Sequence, residues 1–349
     1  MKDKLIVSVS PHVGSTLTTR KIMSYVIMAL MIPLIAGVVL YGFYALLVVL
    51  LAVGTAVISE KLFNAVAHQK NTTNDLSAVV TGLILGLNLP PRIPLFVPIV
   101  GAIFAIVIVK LLFGGLGKNF ANPAAAARVF LLLSWTSAMT VSFMGVSTYI
   151  EPLDYSNGFL SEFFSGFVSS EIVTGATPLA SLKEAATSGV ISGDFSILDL
   201  FLGRTSGSIG ETSVLAILLA GAFLIAMKII DWKIPTLYIV TCALCTVIFY
   251  ENPWTMIIPN LFAGGLMFAA VFMLTDYSSS PNSVVGVCIY AVGAGFMTVL
   301  IRRFGGYNEG ASLAILFMNI LVPLIDKYTK PKPYGYKKPK KVKKEVQNA

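Results

Sequence analysis

Charge is scarce in this sequence: only 12% of its 349 residues are Asp, Glu, Lys or Arg, about half the share in a soluble globular domain. Cysteine occurs three times (Cys242, Cys245, Cys288) and always inside an apolar run, which excludes a disulfide framework. Histidine occurs twice, at His12 and His68, both flanking apolar runs and read as solvated. No glycine-rich dinucleotide fingerprint and no cluster-binding cysteine set is present, so the chain by itself handles neither a nicotinamide nor an iron–sulfur centre. What it has in abundance is hydrocarbon. Apolar residues make up 56% of the chain, and mean hydropathy is +0.82. They fall in runs of roughly 15–20 residues rather than at amphipathic spacing, which excludes a soluble enzyme, a disordered chain and a nucleic-acid-binding domain. The net charge of +8 does not argue otherwise, because nine lysines lie in the last 23 residues, beyond the final apolar run. Such a tail suits a cytoplasmic flank facing anionic lipid.

A bilayer core takes about 20 apolar residues per helix. The sequence predicts ten spans, near 22–41, 43–59, 75–89, 94–113, 123–144, 212–230, 234–250, 256–274, 283–301 and 309–325. Tyr41-Gly42 breaks the first two, where glycine permits a tight reversal. The third is short and stops at Pro90-Pro91, so it reads as a discontinuous or tilted element. Lys2, Lys4, Arg20 and Lys21 before the first span, with the lysine tail after the last, place both termini inside. The connections bearing Lys61 and Lys70, Lys110 and Lys118, and Lys228 and Lys233 fall inside as well. The long connection 146–211 falls outside; it holds Glu151, Asp154, Glu162, Glu171, Glu184, Asp194, Asp199 and Glu211 against Lys183 and Arg204. Arg302-Arg303 is the exception, on the outer side in this count. No secretory signal is expected, for want of a short apolar stretch with a small-residue cleavage site before the first span.

Two stretches echo one another. Phe113-Gly114-Gly115 leads to Asn122-Pro123-Ala124, and Phe304-Gly305-Gly306 leads to Asn308-Glu309-Gly310-Ala311. In each, a turn precedes an asparagine suited to cap a helix rich in small residues. Five spans per unit is an odd number, so the second unit would be inverted relative to the first. Inverted repeats place a site or pathway near the midplane, at broken helices. Chance similarity of glycine-rich turns is the alternative. The organisation read from this is a cytoplasmic segment 1–21, a first five-helix repeat 22–145, an extracytoplasmic loop 146–211, a second repeat 212–326 and a cytoplasmic tail 327–349.

Within the outer loop, Thr174-Gly175-Ala176-Thr177-Pro178 precedes a short helix predicted over 178–186. Pro178 biases Thr177 toward an extended conformation and suits the first helical position, which makes Thr177 an N-cap. Gly175 and Ala176 leave its hydroxyl open to a bulky reactant. An anionic group there would meet free backbone N–H groups and the positive end of the helix dipole. From these residues alone, a plain N-cap and nothing more is the favoured reading.

Thr174-Gly175-Ala176-Thr177 resembles the [ST]-G-A-T flavinylation motif of the family of membrane subunits that includes RnfD and NqrB. The stretch Gly114-Gly115-Leu116-Gly117-Lys118-Asn119-Phe120-Ala121-Asn122-Pro123-Ala124 resembles that family's loop before the fifth span. Phe304-Gly305-Gly306-Tyr307, Asn308-Glu309-Gly310 and Ala314–Asp326 resemble its last span. The likeness implies an all-α polytopic bundle with a urea-transporter-like core and FMN joined to the Thr177 hydroxyl through a phosphodiester. It implies a flavin transferase outside the cytoplasm, agreeing with the side on which the charges put Thr177. It further implies a place in an ion-translocating ferredoxin:NAD⁺ oxidoreductase of the cell (inner) membrane, coupled to Na⁺ or H⁺. Partner subunits would bear iron–sulfur clusters and flavins. A second, non-covalent flavin (riboflavin) is part of the same expectation, with no residue to hold it. A passive channel for a small polar solute is the rival, since inverted five-helix units suit it equally.

Arg128 stands well inside the fifth span, where a buried arginine costs at least about 2.5–3.5 kcal/mol and needs a partner: a flavin phosphate, a carboxylate, a helix C-terminus, or the headgroups by snorkelling. Asp75 and Asp276 adjoin the polar runs 71–74 and 278–280 and are candidates for an ion pathway or for interfacial helix caps. Cys242 and Cys245 lie mid-span, where small polarisable residues pack helices. Ser206-Gly207-Ser208-Ile209-Gly210 has the look of a phosphate loop without the lysine or βαβ context that one needs.

Overall fold

A computed structural model of the chain describes residues 17–68, 72–141, 178–188 and 196–330, and these residues form helices and turns with no strand among them. The first helix, α1 (Thr19–Tyr41), is capped by Thr18 and ends at Gly42, whose φ of 79° and ψ of −169° turn the chain straight into α2 (Phe43–Val66). That corner is where the sequence required a residue without a Cβ. The second helix runs a full turn or more past the predicted end at 59, because Glu60 and Asn64 are buried rather than solvated.

Leu76, at φ 64°, starts α3 (Ser77–Leu87), whose eleven residues span only about 16 Å. It lies hard against α2. A Cβ on Gly82 would stand 2.7 Å from Val53 Cα and one on Gly86 2.9 Å from Val49 Cα. This is the small-residue stripe that lets two membrane helices pack backbone to backbone. Next comes α4 (Phe96–Ile103), which widens into a π-helical stretch (Phe104–Leu111) carrying Lys110. Asn122 caps α5 (Pro123–Ser134) by accepting from Ala124 N at 3.0 Å and Ala125 N at 3.3 Å, with Pro123 at the first helical position. The helix breaks at Trp135 before α6 (Thr136–Val141).

The long connection between the two halves contributes α7 (Pro178–Ser188) and α8 (Ile197–Leu202). Then follow α9 (Val214–Ala226), α10 (Lys233–Phe249), α11 (Pro253–Phe262) and α12 (Leu266–Phe268), the last continuing as a π turn over Ala269–Met273. The chain closes with α13 (Val284–Phe304) and α14 (Ala311–Thr329). The run predicted as one span over 256–274 is instead bent by 64° between α11 and α12. Gly264, at φ 68°, makes that corner.

Among the described residues, four helices (α1, α2, α13, α14) are long and apolar enough to cross a bilayer, or five if the bent pair counts as one; the other apolar helices there are shorter. Their outward faces are hydrocarbon, with Val39, Ile248 and Trp254 all more than 70% exposed, a surface that water does not tolerate at this extent. This is a membrane protein. Asn122 makes one of the contacts between the two halves of the chain, its Nδ2 donating to the Met273 carbonyl at 3.1 Å. That carbonyl ends the π turn, where the helical bonding pattern shifts register.

The paired Phe-Gly-Gly turns differ in conformation. Gly114 and Gly115 take φ of 107° and 88°, whereas Gly305 is extended at φ −76°, ψ 163°. Asn308 does not cap the last helix as expected; that position falls to Gly310, without a side-chain bond. The likeness of the two stretches is therefore one of letters more than of backbone at the turn itself. Cys242 packs in α10 with its thiol 3.6 Å from the Gly295 carbonyl on α13, and Cys245 is buried one turn on.

Candidate functional site

The corner between α11 and α12 leaves two sets of backbone groups without helical partners, and the fold supplies each with a charge of the right sign. At the end of α11, Arg302 Nη1 donates to the Asn260 carbonyl at 2.6 Å and Nη2 to the Ala263 carbonyl at 3.1 Å. At the start of α12, Glu309 Oε1 accepts from the Gly265 N–H at 2.8 Å. A cation on the terminal carbonyls and an anion on the leading amide is the arrangement a helix dipole favours. Space at the corner is minimal. A Cβ on Gly264 would come within 3.3 Å of Arg302 Nη2 and 3.5 Å of Glu309 Oε1, and one on Gly265 would collide with Glu211 Oε1.

Glu309 also bridges to Arg128 on α5. The Arg128 guanidinium forms ion pairs with Glu211 and Glu309 and donates from Nη1 to Asn88 Oδ1 at 2.7 Å, at the end of α3. Its Nη2 reaches Glu211 Oε2 at 3.2 Å and Ser208 Oγ at 3.4 Å. Arg128 and Glu211 are each only 3% exposed. Of the four partners open to Arg128 from sequence, the structure thus selects carboxylates, and the guanidinium is fully engaged. Snorkelling is ruled out by this burial. Glu211 stands in the non-helical stretch before α9, where burial raises its carboxyl above the ordinary range, Arg128 opposing and the neighbouring Glu309 reinforcing the shift.

These groups form one wall of a cavity of about 330 Å³. Ser206, Gly207 and Ser208 from the glycine-rich stretch line it, as do Tyr307 and Asn308. Leu132 and Met139 and the first residues of α7, Pro178, Leu179 and Ala180, complete it. Thr174, Gly175, Ala176 and Thr177 lie outside the described residues. Pro178, the residue bonded to Thr177, is at the cavity wall, and the predicted helix after it is present and two residues longer than expected.

A second polar cluster lies across α2, α3 and α4. Lys110 Nζ pairs with Glu60 Oε1 at 3.0 Å and donates to Ser77 Oγ at 2.6 Å. Thr72 donates to the same Glu60 oxygen at 2.6 Å, and Asn64 Nδ2 to Thr72 at 3.0 Å. Asp75 accepts from Ser77 N and Oγ at 2.8 and 2.5 Å, so it reaches Lys110 through Ser77. Asp276 accepts from the Ser278 and Ser279 hydroxyls at 2.9 and 3.0 Å. It lines a smaller cavity, about 80 Å³, together with Ser77, Lys110 and Asn119. Asp276 thus lines the smaller cavity, Asp75 stands behind it through its bonds to Ser77, and Arg128 lines the larger one.

Glu211 and Glu309, the two carboxylates that complete the first site, were not singled out from sequence; Glu211 counted among the acids of the long connection and Glu309 as the first residue of the last span. The available signal was Glu309 itself, an isolated acid opening an apolar run. Lys110, inside the run FAIVIVKLLF, carried the same signal and likewise demanded a buried partner.

Residues 6–335 match the family described as NQR2, RnfD, RnfE. The chain is 43% identical over 339 residues to the D-type subunit of the Na⁺-translocating ferredoxin:NAD⁺ oxidoreductase complex of Acetobacterium woodii, covering 97% of each chain. It is 37% identical over 349 residues to the D-type subunit of the proton-translocating ferredoxin:NAD⁺ oxidoreductase complex of Clostridium ljungdahlii, covering 96% of this chain and 97% of that one. To the D-type subunit of the ion-translocating oxidoreductase complex of Escherichia coli it is 33% identical over 351 residues, covering 94% and 98%. With one family spanning nearly the whole chain and relatives above 30% identity end to end, the chain belongs to the NQR2, RnfD, RnfE family.

Proposed function

We propose that this chain is the D-type membrane subunit of an ion-translocating ferredoxin:NAD⁺ oxidoreductase complex, and that Thr177 carries FMN through a phosphodiester on the outer face of the membrane. The observation that carries the first part is end-to-end kinship, at 43% identity, with a protein named as that subunit. The flavin rests on the Thr174–Thr177 motif together with the cavity at its next residue. A cavity of about 330 Å³ lies at the small end of the range for ligand pockets, roughly 300–1,000 Å³. Its donor set fits the group. The leading N–H groups of α7 and the Ser206 and Ser208 hydroxyls would hold the phosphate, while Leu132, Met139 and Leu179 offer an apolar wall to a flat ring. Arg128 would not bind the phosphate, since its fork is already given to two carboxylates.

Bound there, FMN supplies one- and two-electron transfer, which no side chain of this protein can do. The chain's own part is placement. α7 fixes the attachment point against the cavity, the Arg128–Glu211–Glu309 group sets the charge on its inner wall, and the glycine corner at 264–265 brings the α12 amide to that wall. We read the helices as ten crossings in two inverted five-helix units with both termini cytoplasmic. The coupling ion is Na⁺ or H⁺, as in the two relatives named for one and for the other; the cavity lined by Asp276, Ser77 and Lys110, with Asp75 bonded to Ser77 behind it, is a candidate for its path. Partner subunits supply the iron–sulfur clusters and nucleotide site that this chain lacks, and a flavin transferase loads Thr177. A second, non-covalent flavin (riboflavin) in the helix bundle belongs to the same reading. A colourless solute channel has no support in the relatives' names.

The test is the mass of the proteolytic peptide containing Thr177 in complex purified from cells that hold the transferase. It should be heavier by one FMN less one water, and Thr177→Ala should remove both that increment and the in-gel flavin fluorescence. A peptide of unmodified mass refutes the flavin assignment.

A further inference from the structure

We propose that Glu211 and Glu309 form a single proton-binding site at the outer cavity, holding one proton between them and taking up a second when an electron reaches the group carried on Thr177. The first half stands on this chain's geometry alone; the second rests on the flavin reading above.

Both carboxylates converge on one nitrogen, Arg128 Nη2, and their Oε1 atoms flank the same glycine, Gly265. Both Oε1 atoms stand within 3 Å of the point a Cβ on Gly265 would occupy. Two carboxylates that close in a site screened from water do not both ionise; they share a proton and titrate as a pair. The charges around them leave that outcome in place. Arg128 from α5 is a single cation touching both. Arg302 from α13 is committed to the carbonyls that end α11, and Lys183 from α7 donates to the Gly305 carbonyl at 2.6 Å. Tyr41 from α1 donates to the Thr205 carbonyl at 3.0 Å, and Tyr307 lines the cavity. Arg128 and the charge of Arg302 both favour an ionised Glu309, so the shared proton rests mainly on the deeper Glu211. Access is unequal: the Glu309 side chain is 22% exposed and that of Glu211 3%, so Glu309 is the end that exchanges with the cavity.

The coupled step balances simply. One electron arrives from the upstream donor of the complex, and one proton arrives from water in the cavity. An O–H bond forms on the remaining carboxylate, taking the pair from one negative charge to none and offsetting the charge the electron brought. The proton is given up by a solvent hydronium ion, whose O–H bond breaks as the carboxyl O–H bond forms and which leaves as water; oxidation reverses both transfers.

Infrared difference spectroscopy on the intact complex tests it. In pH-difference spectra of the oxidised wild type, a carboxylic-acid C=O band should convert to carboxylate as pH rises and should shift in D₂O. Glu211→Gln and Glu309→Gln should each abolish it, because the carboxylate left behind pairs with Arg128 and stays ionised; Glu309→Asp should keep it at a shifted frequency. A band surviving in either Gln variant overturns the shared proton, as does its absence from the wild type, which needs no variant to fold. In reduced-minus-oxidised spectra the acid band should grow, and Thr177→Ala should lose that growth while keeping the pH-dependent band. A flavin-loaded complex without the redox-linked band overturns the coupling. A Thr177 peptide without flavin overturns the flavin reading instead, and the pH-difference band still decides the proton site.

Discussion

Replacing Arg128 with methionine keeps the length and apolar stem of the side chain and removes its charge and its donors. Five polar contacts go at once: two to Glu211, and one each to Glu309, Asn88 and Ser208. The main cost comes from what is left, two carboxyl groups in a buried site without their cation. Removing one partner of a buried ion pair costs about 3–5 kcal/mol, which at a few degrees per kcal/mol corresponds to a fall in melting temperature on the order of 10 °C. The same reasoning says the loss is recoverable. Arg128→Met combined with Glu211→Gln and Glu309→Gln removes the charges on both sides, and a buried charge group replaced as a unit is often neutral. The triple variant should therefore melt well above the single one, a non-additivity expected only of residues that act together. Detergent-solubilised complex, heated in steps and assayed by size-exclusion for the remaining monodisperse peak, measures both. If Arg128→Met melts within about 2 °C of wild type, or if the triple variant is worse than the single, the site is not the mutually dependent group described here.

Gly265→Ala inserts a methyl group against the Glu211 and Glu309 carboxylates; the same melts should show a loss of about 1–3 kcal/mol from overpacking. Gly54→Ala, with open space around it, is the control that should not lose stability. Lys110→Met should cost about 3–5 kcal/mol by stranding Glu60, and adding Glu60→Gln should restore most of it, measured as monodisperse yield after heating. Asn122→Ala should lose about 1 kcal/mol for the cap and a further ~1–3 kcal/mol for the Met273 carbonyl left without its donor, whereas Asn122→Ser should keep the cap and lose only the second part.

Much of the bundle was legible because lipid imposes simple rules. Runs of apolar residues find helices, Gly42 finds its reversal, and Asn122-Pro123 finds its cap, each from a handful of neighbours. Arg128 was legible as a residue that needs a partner, since hydrocarbon does not tolerate an unpaired cation. The partners were not, because Glu211 and Glu309 are 83 and 181 residues away in sequence and nothing local joins them to α5. The bend at 263–265 was hidden for another reason. Gly264-Gly265 and Pro259 sit inside a run hydrophobic enough to read as one span, and only the ionic groups on either side show why the chain gains by turning there. Asn308 misled in the opposite direction, its side chain suiting a cap that the backbone hands to Gly310.

The charges at the α11–α12 corner arrive late. Arg302 reaches back 42 and 39 residues to Asn260 and Ala263, and Glu309 reaches back 44 to Gly265. At elongation speeds of roughly 5–20 residues per second, the half-helices wait about 2–9 seconds between their own synthesis and that of the side chains that satisfy them. During that interval the exposed carbonyls and amides have to be sheltered by the insertion machinery or by water at the membrane surface. The corner thus matures only once residue 309 has been made, and a nascent chain stalled before residue 302 holds all of α11 and α12 with neither end secured.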